Sequence, residues 1–257
     1  MMIDRPIILS VETATRRGSV SVSKGREVLS VEIGAPQSSH SNTLLRDINK
    51  VLEKSKILLS QVQLLAVAAG PGSFTGLRIG LATVKALAAT LKLPCIGIPS
   101  LHAVARAAGE SKASIALLPA GRGEVFAQML SVLSDDTVIE VDKPAHLSPQ
   151  ELRERYGPRT QIRWCGEGAH LHRDQIEEWA AQKGIDFSEI ESDAMERNEN
   201  GWQLAPLDFR LAQHIAGLAL IQFEQGHTGD PNSLRALYVR PSDAELKHNV
   251  NNATGSG

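Results

Sequence analysis

The sequence predicts an α/β protein of two lobes, in which the second lobe is a degenerate copy of the first. Short apolar strands alternate with amphipathic helices, which is the pattern of sheets covered by helices. The order of elements restarts near the middle, and an Arg-Gly-x-Val sequence follows the first strand of each half, at Arg17 and at Arg122. At 257 residues the chain is also at the length where one core begins to split into two.

These observations predict where the lobes begin and end. We expect a first lobe over 1–105 and a second over 106–206, with the segment 207–244 packing back on the first lobe. The end of the chain, 245–257, is largely polar and is predicted to be a disordered tail.

The first lobe is predicted to begin with a three-strand meander and to continue as alternating helices and strands. Alternating or continuous apolar residues predict strands at Ile7–Val11, Ser19–Ser23, Val28–Ile33, Leu64–Ala69 and Cys95–Ile98. Helical periodicity predicts helices at 39–54, from the glycine-rich turn to near Lys92, and from Ser100, which we assign as an N-cap.

The second half repeats the strand, turn and strand order before it becomes less regular. Strands are predicted at 114–118, 124–133, 138–141 and 161–166, and helices at 149–156 and 208–225. Residues 191–200 are polar and show no apolar period. A duplicated βββαβαβ unit is the architecture of the actin, hexokinase and Hsp70-like ATPases, and we predict that fold.

A glycine-rich turn between a strand and a helix is the most informative local feature. It runs from Gly70 to Gly80 and satisfies neither the P-loop spacing nor the dinucleotide fingerprint. Unpaired N–H groups at a helix start favour anions, so we predict possible phosphate contacts at Gly70, Gly72, Ser73, Thr75 and Gly76. The alternative is that the turn only connects the strand tightly to the helix.

The helix after this turn is apolar nearly all round. Its charged residues Arg78, Lys85 and Lys92 recur every seven residues and form one narrow stripe. An ordinary surface helix has one apolar face, so this helix needs cover on two sides. The second cover is either another part of the same chain or another subunit.

Composition excludes several classes of protein. The net charge of −2 and the dispersed basic residues do not predict autonomous nucleic-acid binding. The two cysteines, Cys95 and Cys165, lack metal or redox spacing and fit a reducing cytosol. The start of the chain has no secretory pattern, and no apolar run approaches about 20 residues. We therefore expect a cytoplasmic protein without membrane attachment.

Several motifs together resemble the bacterial TsaB (YeaZ) family. They occur in family order and are, in this sequence, Val11-Glu12-Thr13, His40-Ser41, Gly70 to Gly80, Pro99-Ser100-Leu101, Arg122 to Phe126 and Leu237 to Pro241. The glycine block Gly-Pro-Gly-Ser-Phe-Thr-Gly-Leu-Arg-Ile-Gly is the most specific of these.

The resemblance implies a non-catalytic paralogue of TsaD. In that family the TsaB–TsaD pair, together with TsaE, transfers a threonylcarbamoyl group to N6 of adenosine 37 in tRNAs that read codons starting with A. By this resemblance we expect pairing with TsaD and TsaE, a homodimer when the chain is alone, and tRNA contact only through the complex. No cofactor is expected in this chain, because ATP and metal would belong to the partner subunits.

The resemblance also implies that helix one and the helix after the glycine turn form the subunit interface. The residues assigned to it are Leu44, Leu45, Ile48, Gly76, Arg78, Gly80, Leu81, Thr83 and Lys85. Small residues would allow a partner helix to approach closely. On this interpretation Gly76→Glu or Leu81→Arg would abolish pairing while leaving the fold intact.

The residues argue against catalysis. ATPases of this fold hold Mg²⁺ with a carboxylate after the first strand of each lobe. Glu12 is the residual acid in the first lobe, and Pro119 stands at the matching place in the second. No His-x-x-x-His metal motif occurs, and His170 and His172 fall in a predicted loop. Two alternatives stay open: a free-standing ATPase or kinase of this fold, and a glycoprotease-like peptidase using Ser73, although Gly-x-Ser-x-Gly is absent.

Overall fold

The computed structural model describes residues 5–35, 40–190 and 201–239, and it builds them around two sheets. The first sheet has the order β3-β2-β1-β4-β5. Its strands are β1 (Ile7–Glu12), β2 (Ser19–Lys24), β3 (Glu27–Ile33), β4 (Leu64–Gly70) and β5 (Cys95–Pro99). β1 runs antiparallel to β2 and parallel to β4, as the predicted meander followed by strand–helix units requires.

Helices cover both faces of this sheet because its strands are apolar on both sides. The helices α1 (His40–Ser55) and α2 (Phe74–Leu91) pack on the face that carries Leu9 and Val11. The last helix, α7 (Leu211–Glu224), packs on the opposite face, against Ile8. Two layers of side chains, one on each face, therefore form the core of the first lobe.

The second sheet repeats this arrangement with an extra edge strand. Its order is β11-β12-β10-β6-β7-β8, and β9 also pairs with β7. The strands are β6 (Ser111–Gly121), β7 (Glu124–Val132), β8 (Val138–Glu140), β9 (Ala145–Leu147), β10 (Gln161–Cys165), β11 (Phe187–Glu189) and β12 (Gly201–Leu204). The helices are α4 (Pro149–Tyr156), α5 (Glu167–Leu171) and α6 (Arg173–Gln182). As in the first sheet, an antiparallel pair, β6 and β7, continues through the parallel neighbours β10 and β12.

An aromatic pair lies at the centre of the second core. Trp164 and Trp202 are fully buried, and their rings meet edge to face with centroids 5.2 Å apart. A further apolar cluster joins the lobes through α3 (Ser100–Ala107), whose Leu101 and Val104 contact second-lobe residues such as Leu118.

The predicted fold class is confirmed, since two lobes carry the same sheet order. The structure corrects two local predictions. His170 lies in α5 and not in a loop, whereas His172 is the single turn residue between α5 and α6. Ser100 is the first residue of α3, and its hydroxyl makes no cap hydrogen bond. The predictions for 191–200 and for the tail 245–257 fall outside the described residues.

Candidate functional site

The glycine turn connects β4 to α2 through a capped helix start. Ser73 is the N-cap, and its Oγ accepts a hydrogen bond from the N–H of Gly76 at 3.2 Å. The N–H of Ser73 donates to the carbonyl oxygen of Ala14 at 2.7 Å. Two of the N–H groups predicted to bind phosphate are therefore used within the chain, which leaves an anion fewer donors than the sequence predicts. Because Ser73 is the N-cap of α2, a serine at this position needs no nucleophilic role to account for it.

Two glycines of α2 fit against the loop that follows β1. A Cβ on Gly76 would lie 1.9 Å from the carbonyl oxygen of Thr13, and a Cβ on Gly80 would lie 2.2 Å from its Oγ1. That hydroxyl donates to the carbonyl of Gly76 at 2.8 Å. These small residues therefore make room for the chain's own Thr13. The assignment of Gly76 and Gly80 to a partner contact is wrong.

The end of the described chain covers the glycine turn. The N–H of Leu237 donates to the carbonyl of Ala69 at 2.7 Å, and its own carbonyl oxygen would be 2.6 Å from a Cβ on Gly70. The next residue, Tyr238, packs its ring on Phe74 with centroids 5.3 Å apart. Glycine at position 70 therefore serves this close contact.

Arg78 completes a small aromatic pad beside the turn. Its guanidinium lies 3.8 Å from the centroid of the Phe74 ring, on which Tyr238 also packs. Tyr238 is half exposed. Sequence reasoning missed this pad because Tyr238 is far from α2 in the chain, although both residues lie within the motifs of the family resemblance.

The residual acid Glu12 is buried and fully engaged. Its Oε1 accepts from the N–H of Thr15 and its Oε2 from the hydroxyl of Thr15, both at 2.7 Å. Burial raises the pKa of Glu12 above its usual value, and the Thr15 hydrogen bonds oppose that shift. Close by, Nε2 of His40 lies 2.9 Å from the carbonyl oxygen of Thr15. Both carboxylate oxygens thus hold the turn after β1.

The remaining candidates for metal or catalytic chemistry are dispersed. Among residues 5–35, 40–190 and 201–239, no group of three His, Cys, Asp or Glu side chains could hold a metal ion. His170 bonds the carbonyl of Ala205 through Nε2 at 2.9 Å. Burial raises the pKa of the Cys165 thiol to about 12, so it is held in the unreactive thiol form.

The residues predicted for the partner interface divide into two groups. Leu44, Ile48 and Leu81 lie in the apolar core between the first sheet and its two helices. Their assignment to a surface is wrong, because the helix faces that carry them pack on the chain's own sheet. Charged variants at Leu81 or Gly76 would therefore damage the fold and could not report on pairing alone.

The second group lies on accessible surface. Arg78 and Leu45 are exposed, the latter by 65%, and Thr83 and Lys85 are partly exposed. The other exposed positions of α2 are Thr75, Ala82, Ala86, Ala89 and Thr90. We call Leu45 of α1 together with Arg78, Ala82, Ala86 and Ala89 of α2 the docking face.

The helix α2 is as long and as apolar as a membrane-spanning helix. Within the described residues it is the one helix whose length and apolar character would suit a membrane span. Leu77, Val84 and Ala88 on one side are buried inside the lobe, whereas the alanines of the docking face are exposed. The helix is therefore apolar on a packed side and on an open side.

Comparisons with a family model and with curated proteins point to the same family. Residues 35–190 match the family model described as TsaD, tRNA N6-adenosine threonylcarbamoyltransferase, which is more than half of the chain. The chain is 35% identical over 102 residues to the tRNA threonylcarbamoyladenosine biosynthesis protein TsaB of Buchnera aphidicola, and this match spans about half of that relative's length. It is 28% identical to the TsaB of Haemophilus influenzae over 91% of this chain and 93% of the relative.

A solved structure shares the fold. YeaZ from Pseudomonas aeruginosa superposes with a TM-score of 0.69 at 20% sequence identity, covering 91% of this chain and 99% of that one. At this identity the likeness concerns the fold alone, and it extends over both lobes.

Proposed function

Because this chain belongs to the TsaD family and is a TsaB (YeaZ) member with a role in tRNA threonylcarbamoyladenosine biosynthesis, we propose that it is the non-catalytic subunit that pairs with TsaD. In this role it positions TsaD, and with TsaE it supports threonylcarbamoyl transfer to N6 of adenosine 37 in tRNAs reading codons that start with A. The observation that carries the proposal is the docking face, an exposed helix side rich in alanine. It belongs to the lobe whose residual acid, Glu12, is already hydrogen-bonded within the chain.

The engagement of the residual acid supports an accessory role. Glu12 uses both carboxylate oxygens on Thr15, and Pro119 offers no carboxylate at the matching strand end of the second lobe. A metal–nucleotide complex needs oxygen ligands that are free to bind it. We therefore assign ATP and metal to the partner subunits and none to this chain.

The docking face supplies the driving force for pairing. Burial of apolar surface contributes about 25 cal/mol per Å², and the alanines of α2 let another helix come close. The occupant we assign is the corresponding helix pair of TsaD, which belongs to the same family. Without TsaD the same face would pair with itself about a two-fold axis and give a homodimer.

Charged residues at the edge of this face select the partner more than they add affinity. Arg78 is held in place by its stacking on Phe74, and Lys85 is partly exposed about two helical turns further on. With a net charge of −2 the chain has no excess of basic residues, so we assign tRNA contact to the assembled complex. The compartment we propose is the cytoplasm, where tRNA modification takes place.

The test substitutes exposed alanines of the docking face. Ala82→Glu and Ala86→Glu place a charge in the proposed contact, while glutamate keeps a high helix propensity. We expect loss of co-purification with TsaD, and elution as a monomer in size-exclusion chromatography. The matched control is Ala181→Glu, an exposed alanine of α6 in the second lobe, which should pair normally.

Two results would contradict the proposal. One is normal pairing by both docking-face variants, with circular dichroism spectra like those of the unsubstituted chain. The other is steady ATP turnover, or peptide cleavage in the presence of a chelator, by the purified chain alone, because either activity would make it an enzyme.

A further inference from the structure

A polar groove lies on the side of α7 that faces the β2–β3 turn. It has a volume of about 210 Å³ and is partly open to solvent. Its polar lining comes from three places in the chain: the β2–β3 turn, the end of α3 and one side of α7. The residues that matter for its chemistry are Ser23, Arg26, Arg106, Gln213, His214 and Gly217.

Two buried donors of this lining have no acceptor. The hydroxyl of Ser23, a residue that is 2% exposed, makes no hydrogen bond within the described residues. The Nε–H of Arg106 is likewise buried and unpartnered there. A buried donor without an acceptor is unfavourable, so a ligand that supplies acceptors to these two groups binds more tightly.

The guanidinium of Arg106 is fixed from several sides. Its Nη2 donates to Oδ2 of Asp136 at 2.7 Å, and its Nη1 donates to Nδ1 of His214 at 3.1 Å. A Cβ on Gly217 would lie 2.6 Å from Cζ of Arg106, so glycine at this position makes room for the guanidinium. The group is therefore held in one orientation before any ligand arrives.

The same contacts determine the state of His214. A guanidinium can only donate, so Nδ1 of His214 accepts and its proton resides on Nε2. Nε2 then donates to Oδ2 of Asp208 at 3.1 Å. Burial opposes the ionised form of Asp208, but hydrogen bonds from His214 and Arg210 hold its pKa below the usual range. The carboxylate nearest to His214 is thus already engaged.

Two of the carboxylates near the groove are already paired with basic side chains. Asp136 is paired with Arg106, and Asp208 bonds both His214 and Arg210. Asp135 lies near Arg26, which lowers its pKa slightly after the larger effect of Thr137 hydrogen bonds. Arg26 is exposed at the mouth of the groove and adds a second guanidinium to the lining.

We propose that this groove binds a small oxyanion, of the phosphate or carboxylate class. Oxygen atoms on such a ligand would accept hydrogen bonds from the Ser23 hydroxyl and the Arg106 Nε–H, and Arg26 would supply the countercharge. The site is separate from the docking face, so it stands or falls independently of pairing with TsaD.

The test uses the purified full-length chain and two probes, inorganic phosphate and acetate, each titrated against chloride at constant ionic strength. We expect a saturable rise in Tm with at least one probe, with Kd confirmed by calorimetry. Ser23→Ala and Arg26→Gln should each weaken that Kd by about tenfold. Lys24→Gln is the matched control, because it removes one charge from the same turn outside the lining, and its Kd should be unchanged.

The comparison of probes identifies the class of ligand. Tighter binding of phosphate or of acetate assigns the site to that oxyanion. A groove filled with water alone would give no saturable rise with either probe. That result, or a Kd that neither Ser23→Ala nor Arg26→Gln changes, would overturn the proposal.

Discussion

The turns that follow the first strand of each lobe are built in opposite ways. In the first lobe the turn after β1 is packed by neighbours: a Cβ on Gly18 would lie 2.6 Å from the His40 ring. In the second lobe the turn after β6 carries Gly121 and Gly123, and a Cβ on either would have no atom within 4 Å. The order of strands is thus repeated in both lobes, whereas only the first of these two turns is packed by neighbouring residues.

The largest expected difference is between glycines of the two lobes. Gly76→Ala forces a Cβ against the carbonyl of Thr13, and we expect the free energy of unfolding to fall by about 3 kcal/mol or more. Gly121→Ala meets no neighbour and bears only the strain of a positive φ, 86°, so we expect about 1 kcal/mol. Urea denaturation of both variants measures the two values. Equal losses would mean that the turns are packed alike.

A smaller effect is expected from the histidine that packs on the first turn. His40→Ala removes the hydrogen bond to the Thr15 carbonyl and the ring beside Gly18, and we expect a loss of about 1–2 kcal/mol. The control is Arg122→Ala in the second turn, where the side chain is exposed and a change within about 0.5 kcal/mol is expected. Urea denaturation again gives both numbers, and an Arg122 effect as large as that of His40 would remove the contrast.

The smallest effect is a dependence on pH that only the first turn should show. Burial raises the pKa of Glu12, so between the unfolded value near 4.5 and the raised value the folded chain keeps a proton that the unfolded chain releases. The free energy of unfolding therefore falls as pH rises through that window and is constant above it, as far as this group is concerned. We expect Glu12→Gln to flatten that part of the profile.

Denaturant titrations from pH 4 to 8 would measure this difference. Glu154→Gln, on the exposed surface of α4, is the control and should leave the profile unchanged. A Glu12→Gln profile parallel to that of the unsubstituted chain would show that the carboxyl titrates alike in both states.

Apolar periodicity predicted the first lobe well, because its strands and long helices are continuous patterns. The bounds of β1, α1 and α2 differ from the predicted ones by a residue or two. In the second lobe neither α5 nor α6 was predicted. With five and ten residues, both helices are too short for a helical period to stand out in the sequence.

The candidate site shows the same limit for contacts between distant residues. The spacing of glycines indicated a close approach of backbone at Gly76 and Gly80, but not that the approaching chain would be Thr13. Likewise the nearly all-round apolar character of α2 indicated a second side to be covered, while Leu44 and Leu81, assigned to that contact, are core residues. Residue type indicates where a close contact can form, and only the tertiary structure identifies the residues that form it.

The position of α7 has a consequence for biosynthesis. This helix follows the whole second lobe in the chain, yet it covers one face of the sheet that contains β1, which is synthesised much earlier. One face of the first sheet therefore stays uncovered until α7 has been synthesised, whereas most of the second lobe can pack its own consecutive elements. Nascent chains stalled before residue 211 should accordingly be bound by chaperones through the first lobe.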